Sequence, residues 1–362
     1  FGLSNAGFGT LSSIFFWIYA PMQLVVGLAL DRYGPRRFVV PAILIMSLGV
    51  ALFSFTDNVG LAAFGRVLTG LGASFGFVGG LYVVTHLFAP SRFAVLSGTL
   101  NAIGMLGTAI GAIALTAAIE ATGWQTVFRG TAAAGVVLFV FAFLFLHDTP
   151  DSGKDQTSFV APLKSVITSS RIWWIAILGA LYYMPVNVFG GLWGKSELMT
   201  DHGLSSVKAE TAISMIFWGM AAGSILAGWL SDRIGHRKWI VVSNAALAAL
   251  AYSAAIYGDS NSLIFISAML FLGGLLGGAQ MLTFAMAKEG QPKAISGTVM
   301  SFVNMVGIGG ALIFQPLVGT LIDLNEGRFG VALLTLPACL LLSAIMALFL
   351  QERRHEDHQD PA

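Results

Sequence analysis

Two eleven-residue elements hold the densest charge chemistry in the chain. Gly27-Leu-Ala-Leu-Asp31-Arg32-Tyr-Gly34-Pro-Arg36-Arg37 recurs 201 residues later as Gly228-Trp-Leu-Ser-Asp232-Arg233-Ile-Gly235-His-Arg237-Lys238. A carboxylate in this setting either pairs with the guanidinium groups beside it or faces the positive N-terminus of a neighbouring helix. Gly27 and Gly228 remove side chains where two helices must approach closely, and Gly34 and Gly235 allow a tight turn into the next element. Arg66 sits inside an apolar run. A guanidinium there is costly in lipid, so it either faces a polar cavity or snorkels to the interface. A third group is neutral: Tyr19 and Gln23, Asn101, Tyr183 and Asn187 around Pro185, Gln280, Thr283, Asn304 and Gln315. Such groups either read a solute by hydrogen bonds and aromatic contact or bond helix to helix and hold a bundle together.

Other chemistries find no support. Gly191-Leu-Trp-Gly194-Lys195-Ser196 approaches a phosphate loop without its spacing, so ATP drive on this chain is not expected. The histidines at 86, 147, 202, 236, 355 and 358 show no metal-ligand spacing, and neither Gly-x-Ser-x-Gly nor His-Glu-x-x-His occurs. Cys339 is the single cysteine, which leaves no disulfide framework. The expectation is therefore no enzyme, no catalytic residues, no metal and no cofactor.

The elements that position these groups follow from composition. Apolar residues make up 56% and charged residues 10% of the chain, glycine adds 43 of 362 residues, and mean hydropathy is +0.80. A soluble protein of this size could not hide that much apolar surface. The solvent is lipid, and an all-α membrane protein follows, because a spanning helix needs about 20 apolar residues. Runs of that kind fall at 8–30, 38–56, 61–88, 93–119, 126–147, 171–194, 208–230, 238–258, 262–287, 294–322 and 329–350. The polar stretch 148–170 and the tail 351–362 lie outside them.

Positive charge orients the spans. Arg32, Arg36, Arg37, Arg92, Lys154, Lys164, Arg171, Arg233, Arg237, Lys238, Lys288, Lys293, Arg353 and Arg354 fall on one side; only Arg129, Lys195, Lys208 and Arg328 fall on the other. The first side, with the 148–170 segment and the C-terminus, is expected to be cytoplasmic.

The repeat extends beyond the charged element. Gly2-Leu3-Ser4 maps onto Gly203-Leu204-Ser205 and Phe16-Trp17 onto Phe217-Trp218 at the same offset, and Ser97-Gly98-Thr99 maps onto Ser296-Gly297-Thr298 at an offset of 199. Two halves of parallel hydropathy are a common plan of secondary transporters. Because span 171–194 precedes the point that matches residue 2, the first half is expected to begin with one more span than the sequence contains. The full plan is then two six-helix bundles related by a pseudo-two-fold axis: 1–147 (family spans two to six), the loop 148–170, 171–350 (spans seven to twelve) and the tail 351–362.

The charged element resembles the loop signature of the major facilitator superfamily between spans two and three, and its second copy the weaker one between spans eight and nine. The resemblance implies a charged network that latches the cytoplasmic side while the cavity faces out. Arg66-Val-Leu-Thr-Gly70-Leu-Gly72 resembles the superfamily's second motif, which implies a role for Arg66 in proton coupling. Gly104 to Gly111 reads GMLGTAIG and lacks the Gly-Pro pair of many drug/proton antiporters. No lysine or arginine lies at the centre of span seven, which argues against a phosphate-bearing substrate. The region 2–99 and the stretch Val188 to Gly194 look similar to bacterial uptake-type members that handle amino acids or organic acids.

The expected function is secondary active transport of a small organic solute by alternating access: proton-coupled uptake of an amino acid, an organic acid or a similar metabolite. Efflux of a drug or metabolite by antiport, or solute sensing without transport, are the alternatives. The expected partners are the solute, a co-transported proton and the bilayer, with no nucleic acid. The protein is expected to act as a monomer in a bacterial inner membrane.

Overall fold

The computed structural model describes residues 5–147 and 160–351, and among these there is helix but no strand. Lys154, Arg353, Arg354, His355, His358 and the Gly2-Leu3-Ser4 match lie outside the described residues. The helices are α1 (Asn5–Tyr33), α2 (Arg36–Phe55), α3 (Val59–Leu87), α4 (Phe93–Thr122), α5 (Trp124–Phe145), α6 (Val160–Ile167), α7 (Ser170–Met184), α8 (Gly194–Thr200), α9 (Ser206–Ile234), α10 (Lys238–Tyr257), α11 (Leu263–Gly277), α12 (Leu282–Lys288), α13 (Ser296–Leu324), α14 (Phe329–Leu333) and α15 (Thr335–Leu348). Eleven stretches in this set are long and apolar enough to cross a membrane.

Three spans are interrupted where the sequence predicts continuous helix, the last by a turn at Leu334 between α14 and α15. Between α7 and α8 the chain runs as a π-helix over Pro185–Trp193. Pro185 opens a wider turn, in which Gly194 N–H reaches back five residues to Phe189 O. Such turns are uncommon and often mark functional sites. Between α11 and α12 a 3₁₀ turn covers Gly278–Met281. The expected 148–170 loop also contains structure, since α6 occupies Val160–Ile167 and buries Val166 completely.

The chain packs as two compact units. The first comprises residues 1–88, 110–169 and 292–305; the second comprises 89–109, 170–291 and 306–362. Each unit thus draws on both of the expected bundles, because 292–305 packs with the first unit and 89–109 with the second.

In the first unit, Val26, Ala29 and Leu30 of α1 meet Ala42 of α2 and Phe75, Val78 and Tyr82 of α3 in one buried cluster. On α5, Val137, Phe141, Leu144 and Phe145 are all exposed. Apolar side chains presented outward in such a row are solvated by acyl chains, not water. In the second unit, α9 meets α11 through glycines: a methyl on Gly219 or Gly223 would strike the backbone of Phe271 or Leu275. Small residues let helices in lipid approach this closely.

Candidate functional site: two helix-end latches and two polar clusters

The first charged element forms a latch within the first unit. Gly34 closes α1 in the left-handed conformation (φ 78°), with its N–H on Leu30 O at 3.0 Å. That turn places Asp31 against the first turn of α13. Its Oδ1 accepts the Gly297 N–H at 2.7 Å, and its Oδ2 accepts both the N–H and the hydroxyl of Thr298 at 2.7 Å. The carboxylate therefore satisfies donors that a helix start leaves unpaired, and it complements the positive end of the helix dipole. Gly27 makes the approach possible, since a Cβ there would lie 2.7 Å from both Gly297 O and Thr298 Cα. The arginines of the element turn outward from this contact. Arg32 and Arg37 lie over the Tyr33 ring at 5.5 and 5.6 Å. Arg36 donates to Phe143 O at 3.2 Å and lies over that residue's ring.

The second copy repeats the plan with two changes. Gly235 again takes the left-handed turn (φ 72°), and Asp232 accepts from the start of α4, through one bond from Val95 N–H at 2.9 Å. Gly228 packs on the backbone of Ala94 and Val95. By the 199-residue offset, Val95 corresponds to Ala294, so Asp232 meets its helix about one turn earlier than Asp31 does. The second change concerns the arginine. Arg237, the counterpart of Arg36, is buried. It pairs with Glu289, stands 3.9 Å from Asp232, and donates to the Ser231 hydroxyl at 3.2 Å. Arg171 adds a second cation 4.0 Å from Glu289 and donates to Gln351 O at 2.9 Å. Arg233 and Lys238 lie over Trp229 and Trp239.

The neutral candidates divide between the units. In the first, Gln23 is fully buried and its Oε1 accepts from Asn304 Nδ2 at 3.0 Å, while its Nε2 donates to Ser74 O at 3.3 Å and Tyr19 O at 3.4 Å. The Tyr19 hydroxyl interacts with the side chains of Asn304 and Gln23. Phe15 stacks on Tyr19 at 5.5 Å, and the half-buried Arg66 lies over Phe15 at 5.3 Å. Tyr19, Gln23, Asn304 and Arg66 thus form one continuous cluster, joined by a phenylalanine that polarity-based reading passes over.

In the second unit the candidates do not all converge. Gln315 donates from Nε2 to Asn187 O at 2.8 Å, and Trp193 Nε1 donates to Gln315 O at 3.1 Å, so this pair of bonds ties α13 to the π-helix. Asn187 and Asn101 each keep a buried Nδ2 without an acceptor among the described residues. Thr283 is fully buried, donates to Gln280 O at 2.7 Å, and packs against Gly179, which is the behaviour of a packing residue. Tyr183 is half-buried, whereas its neighbour Tyr182 is fully buried and donates to Leu276 O at 2.8 Å.

Sequence reasoning missed Glu289, Phe15 and the amides of Gly297, Thr298 and Val95. The Ser-Gly-Thr at 296–298 was the available signal for the amides of Gly297 and Thr298, since it opens α13; its repeat at 97–99 lies beyond Val95 and did not mark that amide.

Among the described residues, helix without strand, eleven apolar spans and two repeat-related helix-end contacts define a multi-pass membrane protein. The Major Facilitator Superfamily model matches residues 1–193 and again 175–362, and the chain belongs to that family. The chain is 29% identical over 340 residues to the probable nitrate/nitrite transporter NarK2 of Mycobacterium tuberculosis, covering 89% of this chain and 81% of that protein. It is 25% identical over 361 residues to the 3-(3-hydroxy-phenyl)propionate transporter of Escherichia coli, covering 93% and 85%. To the cis,cis-muconate transport protein of Acinetobacter baylyi it is 24% identical over 383 residues, covering 99% and 89%. Among solved structures, the transporter FucP in the outward conformation shares the fold with a TM-score of 0.76 at 17% identity, covering 98% of this chain and 92% of that one.

Proposed function

We propose that this protein is a secondary active transporter that takes up a small organic acid or similar metabolite by alternating access, coupled to protons. The observation that carries this reading is the pair of latches. Asp31 and Asp232 occupy repeat-related positions, and each accepts from the first turn of a neighbouring helix. Hydrogen bonds to helix-end amides are strong when formed, yet water can replace them when the helix end is exposed. A transporter that opens and closes one side needs contacts of that kind. The Lys/Arg bias supports a cytoplasmic side for both latches, the 148–170 segment and the C-terminus, and the proposal takes the chain to act as a monomer in a bacterial inner membrane.

Neutral donors and aromatic rings are the proposed solute-reading groups: within the first unit Tyr19, Gln23 and Asn304, and within the second, taken by itself, Asn101, Tyr183 and Asn187. Arg66, set within the apolar span Val59–Leu87, is the proposed coupling residue and a group suited to an anionic solute. Two of the relatives above are named for organic acids, muconate and hydroxyphenylpropionate, and that supports the acid arm of the proposal.

Counterflow in proteoliposomes tests it. Preloaded carboxylates and amino acids should each be offered, with and without an imposed pH gradient. Accumulation of a carboxylate that collapses when the gradient is dissipated is the expected result. Folded protein that exchanges none of these solutes would overturn the proposal.

A further inference from the structure

Glu197 has no role in the reading above, yet it is the most completely buried acid among the described residues, at 0% exposure. It lies on α8, just beyond the π-helix. Neither of its carboxylate oxygens accepts an aligned hydrogen bond. A buried carboxylate without donors costs several kcal/mol unless it carries a proton or faces a cation. The group facing it is His202, also buried, whose Nε2 stands 3.3 Å from Glu197 Oε1.

The surroundings of His202 constrain its protons. Nε2 also lies 3.3 Å from the carbonyl oxygen of Ile256, and Nδ1 lies 3.2 Å from Asn261 Oδ1. A carbonyl has no proton to give, so Nε2 carries hydrogen and points between Ile256 O and Glu197 Oε1. One further proton, on the carboxyl or on the ring, is what relieves the buried charge, and the pair then holds one proton more than the same two groups hold when hydrated at neutral pH. The turn Asp201–Leu204 keeps the ring there, through Leu204 N–H on Leu198 O at 3.0 Å and Gly203 in the left-handed conformation (φ 65°).

We propose that Glu197 and His202 form a proton-binding site that fastens the end of the seventh span to the end of α10 and the loop that follows it. With the proton held, the ring joins Glu197 and Ile256 O through Nε2 and Asn261 through Nδ1. When the proton leaves, Glu197 is left as a buried charge without a counter-charge, so the fastening loosens. The other charged or titratable groups here are few. Asp201 and the Tyr257 hydroxyl lie within electrostatic reach of Glu197. Tyr257 is occupied by Gly330 O at 2.7 Å, and Lys195 and Glu210 pair with each other at 2.9 Å. None of them supplies Glu197 with a second cation.

The sign follows from proton counting. The fastened state holds one proton; the loosened, hydrated state holds none above a pH of about 6.5 and gains a second below about 4.3. Fastening is therefore strongest between those limits and weakens as pH rises above the upper one. The test compares thermal unfolding of the full chain, wild type against Glu197→Gln and His202→Gln, from pH 5 to pH 9 in detergent. Wild-type Tm should fall by about 3 °C or more between pH 6 and pH 9, relative to both variants. Three parallel profiles would overturn the proposal. Should neither variant fold, the wild type still answers through ¹⁵N spectra of its six histidines. One ring must change its signal together with the fall in Tm, apart from the other five, and six rings that titrate alike would also overturn it. The readout is independent of transport, so a protein that moved no solute would leave this inference intact.

Discussion

Asp31 Oδ2 accepts two hydrogen bonds from the same residue, the N–H and the hydroxyl of Thr298, both at 2.7 Å. With Gly297 N–H on Oδ1, the carboxylate caps α13 from another helix as an N-cap residue would from within. Its repeat partner Asp232 accepts from a single residue of its helix start, Val95, and stands 3.9 Å from Arg237. The two latches differ in their helix-start contacts, and the difference is measurable.

Asp31→Asn removes the charge and turns one acceptor into a donor facing an amide. The expected cost is about 2 kcal/mol, against about 1 kcal/mol for Asp232→Asn. Thermal unfolding of the purified protein should rank Asp31→Asn as the more damaging. The reverse order would contradict the geometry described above.

Glycines of similar appearance should divide by what surrounds them. Gly27→Ala places a methyl 2.7 Å from Gly297 O and should cost about 1–3 kcal/mol. Gly104→Ala meets nothing within 4 Å and should be neutral or slightly stabilising, because alanine is the better helix former. Melting temperatures of the two variants decide this directly.

The arginines of the repeat should separate in the same manner. Arg237 is buried against Glu289 and Asp232, so Arg237→Met should destabilise by about 3 kcal/mol. Arg36 bonds a carbonyl at a partly exposed position, and Arg36→Met should cost about 1 kcal/mol or less. Equal losses in yield and melting temperature would argue that both act through net charge alone.

Gln23 and Asn304 are expected to behave as one unit. Single alanine substitutions should each cost about 1–2 kcal/mol, and the double-mutant cycle should return a coupling of about 1 kcal/mol. A coupling near zero would mean that the 3.0 Å bond carries little of the stability.

Gln315→Leu cuts the side-chain bond from α13 to Asn187 O in the π-helix. Amide exchange across 185–193 should then accelerate by up to about tenfold, while α15 exchanges as before. Uniform acceleration would indicate general destabilisation instead.

Most of the architecture was legible because a spanning helix announces itself through composition alone. All eleven spans coincide with apolar runs in the sequence, displaced only at their ends. The latches were half legible. Asp31 and Asp232 stood out as acids in a repeated motif, yet whether each would pair with an arginine or with a helix end was open. Both outcomes occur, since Asp232 bonds an amide and also stands near Arg237. Thr283 was legible as a polar residue at mid-span depth, whereas its complete burial and its bond to Gln280 O came only from the packing around it.

Local sequence determined that this chain lives in lipid, where its helices begin and end, and that its charged element occurs twice. Those properties depend on hydropathy and on turn chemistry within a few residues. Only tertiary structure decided that residues 292–305 pack with α1 and that 89–109 pack with α9, that span seven carries a π-helix, and that Glu197 faces His202. Each of those depends on which backbone amide or side chain comes into reach of another across long stretches of chain, and a hydropathy pattern read along one strand of sequence contains no such distances.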